Sequence, residues 1–460
     1  MNRCFALVLT LALILALLTS CELLAPGPTE RPPIGRPGES IEPTPTETTD
    51  PTVDGYGFTI FPEGNYLADK KFDTDEFLPD YDADPSFIQF LTTGHNKALC
   101  QTNDTVYACI GGLANGGLIM YMDKATGISA PLCGKPECLH SNSSCNAYVS
   151  WSAHGLRVYA GKLYWIDNRS SIMRMNLDGT DRETVVSTAG VYDHISNDPT
   201  VVIHRGYVYA AGSQHAVVVD GKRMGSVTIN AHPLNSGEGF TILDKLVEGY
   251  GAECLIKPVG NDLYIMLYTF DYENGENLEE KFETVEFYRW DSRTRQVEFI
   301  SSLQTSSDGL HLEKWSFHPV PGDGIYLEGY YLVETEDGSY QKDCVCKYSF
   351  ETGILEEIMC LDDDGDQWFF WPVYTKDYIF ADSNFAKSNS DFELMIYVYD
   401  YNYELVYRIG PFEDHDGNDF MGADDAFVYY LCWTGGSDDA EHGRHFIAVP
   451  FDGGDVIVIG

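Results

Sequence analysis

Gly161-Lys162-Leu163-Tyr164-Trp165-Ile166-Asp167, Ile172-Met173-Arg174-Met175-Asn176-Leu177-Asp178-Gly179-Thr180 and Glu183-Thr184-Val185-Val186 are three short runs separated by turn residues. Each run is rich in β-branched and aromatic side chains, the composition of strands that pack on a pleated surface. Asp178-Gly179 suits a tight hairpin turn, because glycine adopts positive φ without steric cost. The stretch therefore reads as consecutive antiparallel strands.

The pattern recurs along the chain. The turn that follows the third strand of each unit starts at Asp123, Asn176, Pro233, Asp291, Ser349, Asp400 and Pro450, at intervals of 50 to 58 residues. A strand bearing Tyr or Phe stands upstream of most of these turns, as in Thr105–Cys109, Tyr207–Ala210, Asp262–Leu267 and Phe427–Cys432. A fixed period of this length marks a repeat architecture, and units of about four strands make propeller blades. A plain β-sandwich gives no reason for such regularity. The expectation is an all-β chain, a seven-bladed β-propeller of four-stranded blades over residues 84–460. The last unit, Met421–Gly460, looks complete in itself, so closure by an N-terminal strand is not required, although Phe87–Leu91 could add an edge strand.

Leu163-Tyr164-Trp165-Ile166-Asp167 with Leu177-Asp178-Gly179 resembles the YWTD repeat of β-propellers of the low-density-lipoprotein-receptor type. One repeat matches well and the others in outline. The resemblance implies the same propeller architecture.

The N-terminus carries an address. Met-Asn-Arg precedes an apolar run from Cys4 to Leu18, the length of a signal-peptide core and short for a membrane span. It ends in Leu18-Thr19-Ser20-Cys21, which resembles a bacterial lipobox. Residues 1–20 are thus expected to be cleaved and Cys21 to be lipidated, its two acyl chains giving stable anchoring. Residues 21–54 hold Pro-Gly-Pro, Arg-Pro-Pro and Pro-Thr-Pro-Thr with few aliphatics, a disordered linker of PPII character about 100 Å long at ~3 Å per residue. Residues 55–83 form an acidic, aromatic lead-in. The expected location is the extracytoplasmic face of a bacterial cell membrane.

The formal charge is −42. That argues against nucleic acid as a partner, which needs a basic footprint, and against docking on anionic lipid. No GxSxG, HExxH, P-loop or dinucleotide-binding fingerprint is present. The densest cluster of reactive side chains is Cys133-x4-Cys138-x-His140-x4-Cys145, in a segment that resembles one in propeller lipoproteins of Gram-positive gut bacteria. A disulfide pinning the loop, a tetrahedral zinc site and loose thiols are all open to it, with the disulfide leading because exported cysteines usually pair. Asp362-Asp363-Asp364-Gly365-Asp366 and Asp414-His415-Asp416-Gly417-Asn418-Asp419 offer hard oxygen ligands for calcium but read first as polar turns.

Propeller topology places the second-to-third loops on the same face as the connections between blades. Long second-to-third loops are expected at Tyr272–Lys281, Asp382–Asp391 and Thr434–Arg444, and long connections at Lys135–Tyr148, Asp362–Asp366 and Glu413–Asp419. Beside them stand the first-strand aromatics Trp315, Phe317, Trp368, Phe369 and Trp371, with Trp368 and Trp371 read as sharing one strand face. Aromatic faces beside carboxylates suit sugar rings or cations. The candidate ligand site is Trp315, Trp368, Trp371, Asp364 and Asp416. The expected function is a lipid-anchored binding or scaffolding propeller for a glycan, peptide or surface protein; the alternative is a carbohydrate-active hydrolase or lyase. Replacing Cys21 by Ala should release the protein from membranes or leave its signal uncleaved, as read by fractionation and intact mass.

Overall fold

A computed structural model describes the chain from Leu99 to Val458, apart from short segments among which are 188–193, 196–200, 271–282, 306–309, 361–366, 370–371, 410–417, 435–442 and 451–456. Before Leu99 it describes one antiparallel pairing, Thr52–Val53 with Thr59–Ile60. Cys21, most of the linker and lead-in, and Phe87–Leu91 lie outside the described residues.

The protein is an all-β, seven-bladed propeller with four antiparallel strands per blade. Blade 1 spans Leu99–Gln101, Thr105–Leu113, Gly116–Asp123 and Ser129–Pro131; blade 2 spans His154–Tyr159, Lys162–Asp167, Ser171–Asn176 and Glu183–Ser187. Blade 3 runs from His194 to Glu248, blade 4 from Gly251 to Thr305, blade 5 from His311 to Cys360, blade 6 from Gln367 to Ile409 and blade 7 from Asn418 to Val458. Each of the seven turns that mark the repeat falls at the end of a third strand. The opening stretch supplies three strands of blade 2, and Gly179 has φ 74 in the turn after the third.

The blades hold together by alternation. Successive side chains of a strand point to opposite faces, and each face of a blade meets a different neighbour. In blade 1, Val106, Ala108 and Ile110 pack with Met421, Tyr429 and Ala448 of blade 7, while Tyr107 between them packs with Leu163 and Trp165 of blade 2. In blade 2, Tyr164 and Ile166 turn instead toward Val208 and Ala210 of blade 3. The same alternation builds the clusters between blades 3 and 4, 4 and 5, 5 and 6, and 6 and 7. This is why the second strands are apolar almost without interruption.

One register position is shared by all seven blades. Tyr107, Tyr164, Tyr209, Tyr264, Tyr326, Phe380 and Tyr429 each stand on a second strand opposite Cys100, Arg157, Val202, Lys257, His318, Val373 and Gly422 of the first. Every one of these rings packs toward the following blade. The aromatic strand legible in the sequence is this contact between each blade and the next. First strands are sheet edges, so one side of their backbone has no neighbour strand. Pro258 and Pro319 sit there because an edge position tolerates a residue without an N–H.

Blade 7 consists of C-terminal strands alone, and no strand from elsewhere joins it among the described residues. Among the described residues, blades 1 and 7 meet through side chains. Several strands differ from expectation. Asp382–Ser388 is not loop but the end of a long second strand paired with Asp391–Tyr399. The first strand of blade 6 is broken into Gln367–Phe369 and Val373–Tyr374, with Pro372 at the break. Trp368 lies on the first of these two pieces, and Trp371 lies outside the described residues.

Trp165 is fully buried between blades 1 and 2, with the Arg182 guanidinium 5.2 Å from its ring centroid. Trp165→Ala should cost ~3–5 kcal/mol in urea unfolding, whereas Leu405→Ala, on an exposed site, should stay within ~0.5 kcal/mol.

Candidate functional site

The cysteine-rich segment is not a connection between blades. The outer edge of Gly116–Asp123 pairs first with Ser129–Pro131 and then, further along, with Tyr148–Val149. Leu132 N–H donates to Ile119 O, and Ile119 N–H to Ala147 O, so the ladder continues across the gap. Residues 132–147 are thus an insertion within the outermost strand of blade 1, on the rim of the propeller and not on its loop-rich face.

The insertion folds back on itself. Cys133 and Cys145 are buried at its base and Cys138 and His140 half-buried at its outer part. His140 has φ 55, a left-handed conformation uncommon outside glycine that turns the chain back. The three Sγ atoms and one His140 ring nitrogen all lie within 4.8 Å of one another, and none of the three cysteines is in a disulfide. His140 Nδ1 is 3.3 Å from Cys145 Sγ. Hydrogen bonding to Cys145 holds the Cys133 thiol down to about 3, helped by His140 and by the amides of Lys135 and Asn146. Cys145 keeps the shared proton and is pushed up, with burial adding to the effect. Among the described residues a disulfide lies elsewhere: Cys344 and Cys360 face each other across paired strands of blade 5 and are bonded. Cys344 and Cys346 point to one side of their strand, as their spacing requires, and Cys100, Cys109 and Cys346 remain thiols.

A second polar group lines the axis. Three first strands place Arg157, Lys257 and His318 at the shared register position, in a chain of strongly negative charge. Arg157 donates to Val201 O at 2.9 Å and Lys257 Nζ to Phe317 O at 3.0 Å. The ammonium also lies 5.9 Å from the centroid of Tyr374, on which His318 stacks at 4.1 Å. Tyr374 and Tyr403 share a 2.7 Å hydroxyl hydrogen bond. Burial pulls Lys257 down to about 8, partly offset by Glu328. Burial and the nearby Lys257 hold His318 well below the usual imidazole range. The sequence signal for this cluster is a basic residue flanked by apolar ones near the end of a first strand, in Leu-Arg-Val-Tyr, Ile-Lys-Pro-Val and Phe-His-Pro-Val.

Trp315 lies on the first strand of blade 5, within the register shift between Leu312 and Phe317, and Trp368 on the first strand of blade 6, opposite Asn384. Phe317 is buried between blades 4 and 5 and belongs to the packing. Trp371, Asp364 and Asp416, and with them most of both acidic turns, lie outside the described residues. The Cys133, Cys138, His140 and Cys145 side chains come together as one cluster.

No family matches the chain in sequence, and no curated protein does. Solved structures with similar folds include the β-propeller domain of the trilobed protease from Pyrococcus furiosus, at 11% identity and TM-score 0.43 over 81% of this chain and 97% of that one. Another is a puromycin-hydrolysing peptidase of Mycobacterium tuberculosis, at 12% identity and TM-score 0.47 over 80% of this chain and 54% of that one. An oligogalacturonate lyase in complex with manganese aligns at 11% identity and TM-score 0.43 over 78% and 90%. The likeness is one of fold.

His204, fully buried, donates from Nε2 to Gly260 O at 2.7 Å, and burial lowers it to about 4. The unfolded chain takes up this proton below about pH 6.5 and the folded one only near pH 4. The associated stability, on the order of 3 kcal/mol, is present above pH 6.5 and is lost as pH falls toward 4. His204→Gln should flatten the fall in melting temperature between pH 7 and pH 5; an unchanged slope contradicts this assignment.

Proposed function

We propose that the chain is a membrane-tethered binding module. Cys21 carries the lipid, the Pro/Thr-rich linker spaces the propeller from the bilayer, and a glycan, peptide or surface protein is recognised on the face that bears the connections between blades. The lipobox-like Leu-Thr-Ser-Cys supports the anchor.

The observation that carries the recognition reading is the asymmetry between the two faces. Turns on one face are tight: Ala160-Gly161, Arg205-Gly206 and Gly260-Asn261 each join paired strands with two residues. On the other face the second and third strands run on as ribbons. In blade 5, Gly324–Thr335 pairs with Gly338–Ser349 without a break, while the first strand stops pairing at Tyr330 and the fourth at Cys344. Tyr331 to Lys342 is thus a two-stranded ribbon beyond both neighbours. Blade 3 extends in the same direction, with Val219 pairing Lys222 and Val218 exposed near the tip. Paired ribbons raised on one face of a rigid ring form a recognition surface of stable shape, the usual arrangement for function carried on a scaffold. Trp315 and Trp368 stand on first strands whose blades bear long hairpins. With Trp371, Asp364 and Asp416 they make up the proposed contact set.

The test is an array of glycans, peptidoglycan fragments and peptides probed with the full chain in detergent. Two variants follow on any hit: Trp368→Ala, and a blade 5 ribbon in which Leu332–Gln341 is replaced by an Asn-Gly turn. Each should lose about tenfold or more in affinity, ~1.4 kcal/mol, with its melting temperature unchanged. Full affinity in both variants contradicts recognition on this face. Turnover of a bound glycan, abolished by one carboxylate change, replaces the binding reading with the enzymatic one.

A further inference from the structure

We propose that Cys133, Cys138, His140 and Cys145 form a structural zinc site that staples the interrupted outer strand of blade 1 to blade 2. Three sulfurs and an imidazole nitrogen within 4.8 Å of one another match the donor set and the size of a tetrahedral zinc shell, in which Zn–S bonds of ~2.3 Å separate sulfurs by about 3.8 Å. Soft sulfur and imidazole donors exclude calcium and magnesium, which take oxygen. Four protein ligands leave no position for water or substrate, so the site is closed and structural.

The surroundings fit a thiolate centre better than a disulfide. None of the three sulfurs is bonded to another, and His140 Nδ1 lies 3.3 Å from Cys145 Sγ. An imidazole nitrogen held beside a sulfur in this way is placed to share one metal ion with it. A disulfide would use two of the three sulfurs and give the inward-facing His140 nothing to do. Three thiolates and one neutral imidazole around Zn²⁺ leave one net negative charge. Lys135, whose Nζ donates to Ser144 O in the same loop, and Arg182, which donates to Asn146 O next to Cys145, stand close to offset it.

The staple has a second half on blade 2. Gly134 lies so close to the Asp178-Gly179-Thr180 turn that a Cβ there would be 2.8 Å from Thr180 Cγ2, and a Cβ on Gly179 would be 2.6 Å from Leu132 O. Asn146 Nδ2 donates to Gly179 O at 2.7 Å, and Arg182 donates to Asn146 O at 3.2 Å and to Tyr148 O. These contacts demand one fixed shape from residues 132–147. Two residues, Tyr148 and Val149, are all that return to the ladder, and Leu139 at the outer end is almost wholly exposed. Local turns such as Cys138 N–H to Lys135 O and Cys145 N–H to Asn142 O shape the loop piecewise, and the metal joins these pieces to one another.

The experiment uses the full chain in detergent, purified under reducing conditions without chelator. Elemental analysis should find one zinc per chain. After removal of zinc, Co²⁺ added without air should give the intense visible bands and thiolate charge-transfer absorption of a tetrahedral sulfur-rich site, and Zn²⁺ should abolish them. EDTA should lower the melting temperature. Cys138→Ser and His140→Ala, both at half-buried positions, should weaken zinc binding by more than about tenfold, with far-UV circular dichroism unchanged and no further response to EDTA. Zinc at background after stoichiometric zinc is offered, together with no cobalt spectrum, overturns the proposal. So does a disulfide among Cys133, Cys138 and Cys145 found by non-reducing peptide mapping of protein taken from its own cell envelope.

Discussion

Every blade of this propeller is stable only because it is pressed between two others. A four-stranded sheet buried on both faces has no hydrophilic side to turn to water, and its neighbours are what cover it. The constraint is visible at single-residue resolution: Val106 and Ala108 belong to the contact with blade 7, and Tyr107 between them to the contact with blade 2. A blade removed from the ring would expose both sets at once. The aromatic side chain repeated at one register position, always toward the next blade, makes the seven contacts equivalent without making the sequences alike. It also fixes how closely first strands approach the axis, and hence where Arg157, Lys257 and His318 are held.

Those three residues show how the ring accommodates charge. The chain carries a large excess of carboxylates, yet its first strands carry the cations Arg157 and Lys257, with His318 held neutral beside Lys257. Lys257 is satisfied by a carbonyl and by aromatic faces, and the acidic background attracts positive charge at long range. The arrangement stiffens the junction of blades 4, 5 and 6, where His318, Tyr374, Tyr326 and Tyr403 form a stacked and hydrogen-bonded group.

The ring and its blade count were legible because third strands end in polar turns at even spacing, and because second strands carry the shared aromatic. Breaks within strands were not. The pairing of Tyr148–Val149 is two residues long, too short to register as a strand, so the insertion from Leu132 to Ala147 reads as a connection between blades. The first strand of blade 6 comes in two short pieces, Gln367–Phe369 and Val373–Tyr374, and pieces of two or three residues do not register as strands. Asp382–Ser388 looks like loop because its residues are small and polar, yet its backbone pairs residue for residue with Asp391–Tyr399. The convergence of Cys133, Cys138, His140 and Cys145 was legible as a cluster of ligands. That none of the sulfurs bonds to another depends on backbone direction, which spacing does not specify. The bonded pair, Cys344 with Cys360, was hidden because cross-strand register is not written in either strand alone.

The packing of blade 1 against blade 7 has a consequence for how the protein is made. The blade 1 face that carries Val106, Ala108 and Ile110 has its partners in Met421, Tyr429 and Ala448, roughly 300 residues later in the chain. At ribosomal rates of ~5–20 residues per second, that separation is about 15 to 60 s. Through that interval the first blade presents an uncovered apolar surface, while each later blade acquires its cover as soon as the next one emerges. The opening blade is the part of the nascent protein most in need of a chaperone.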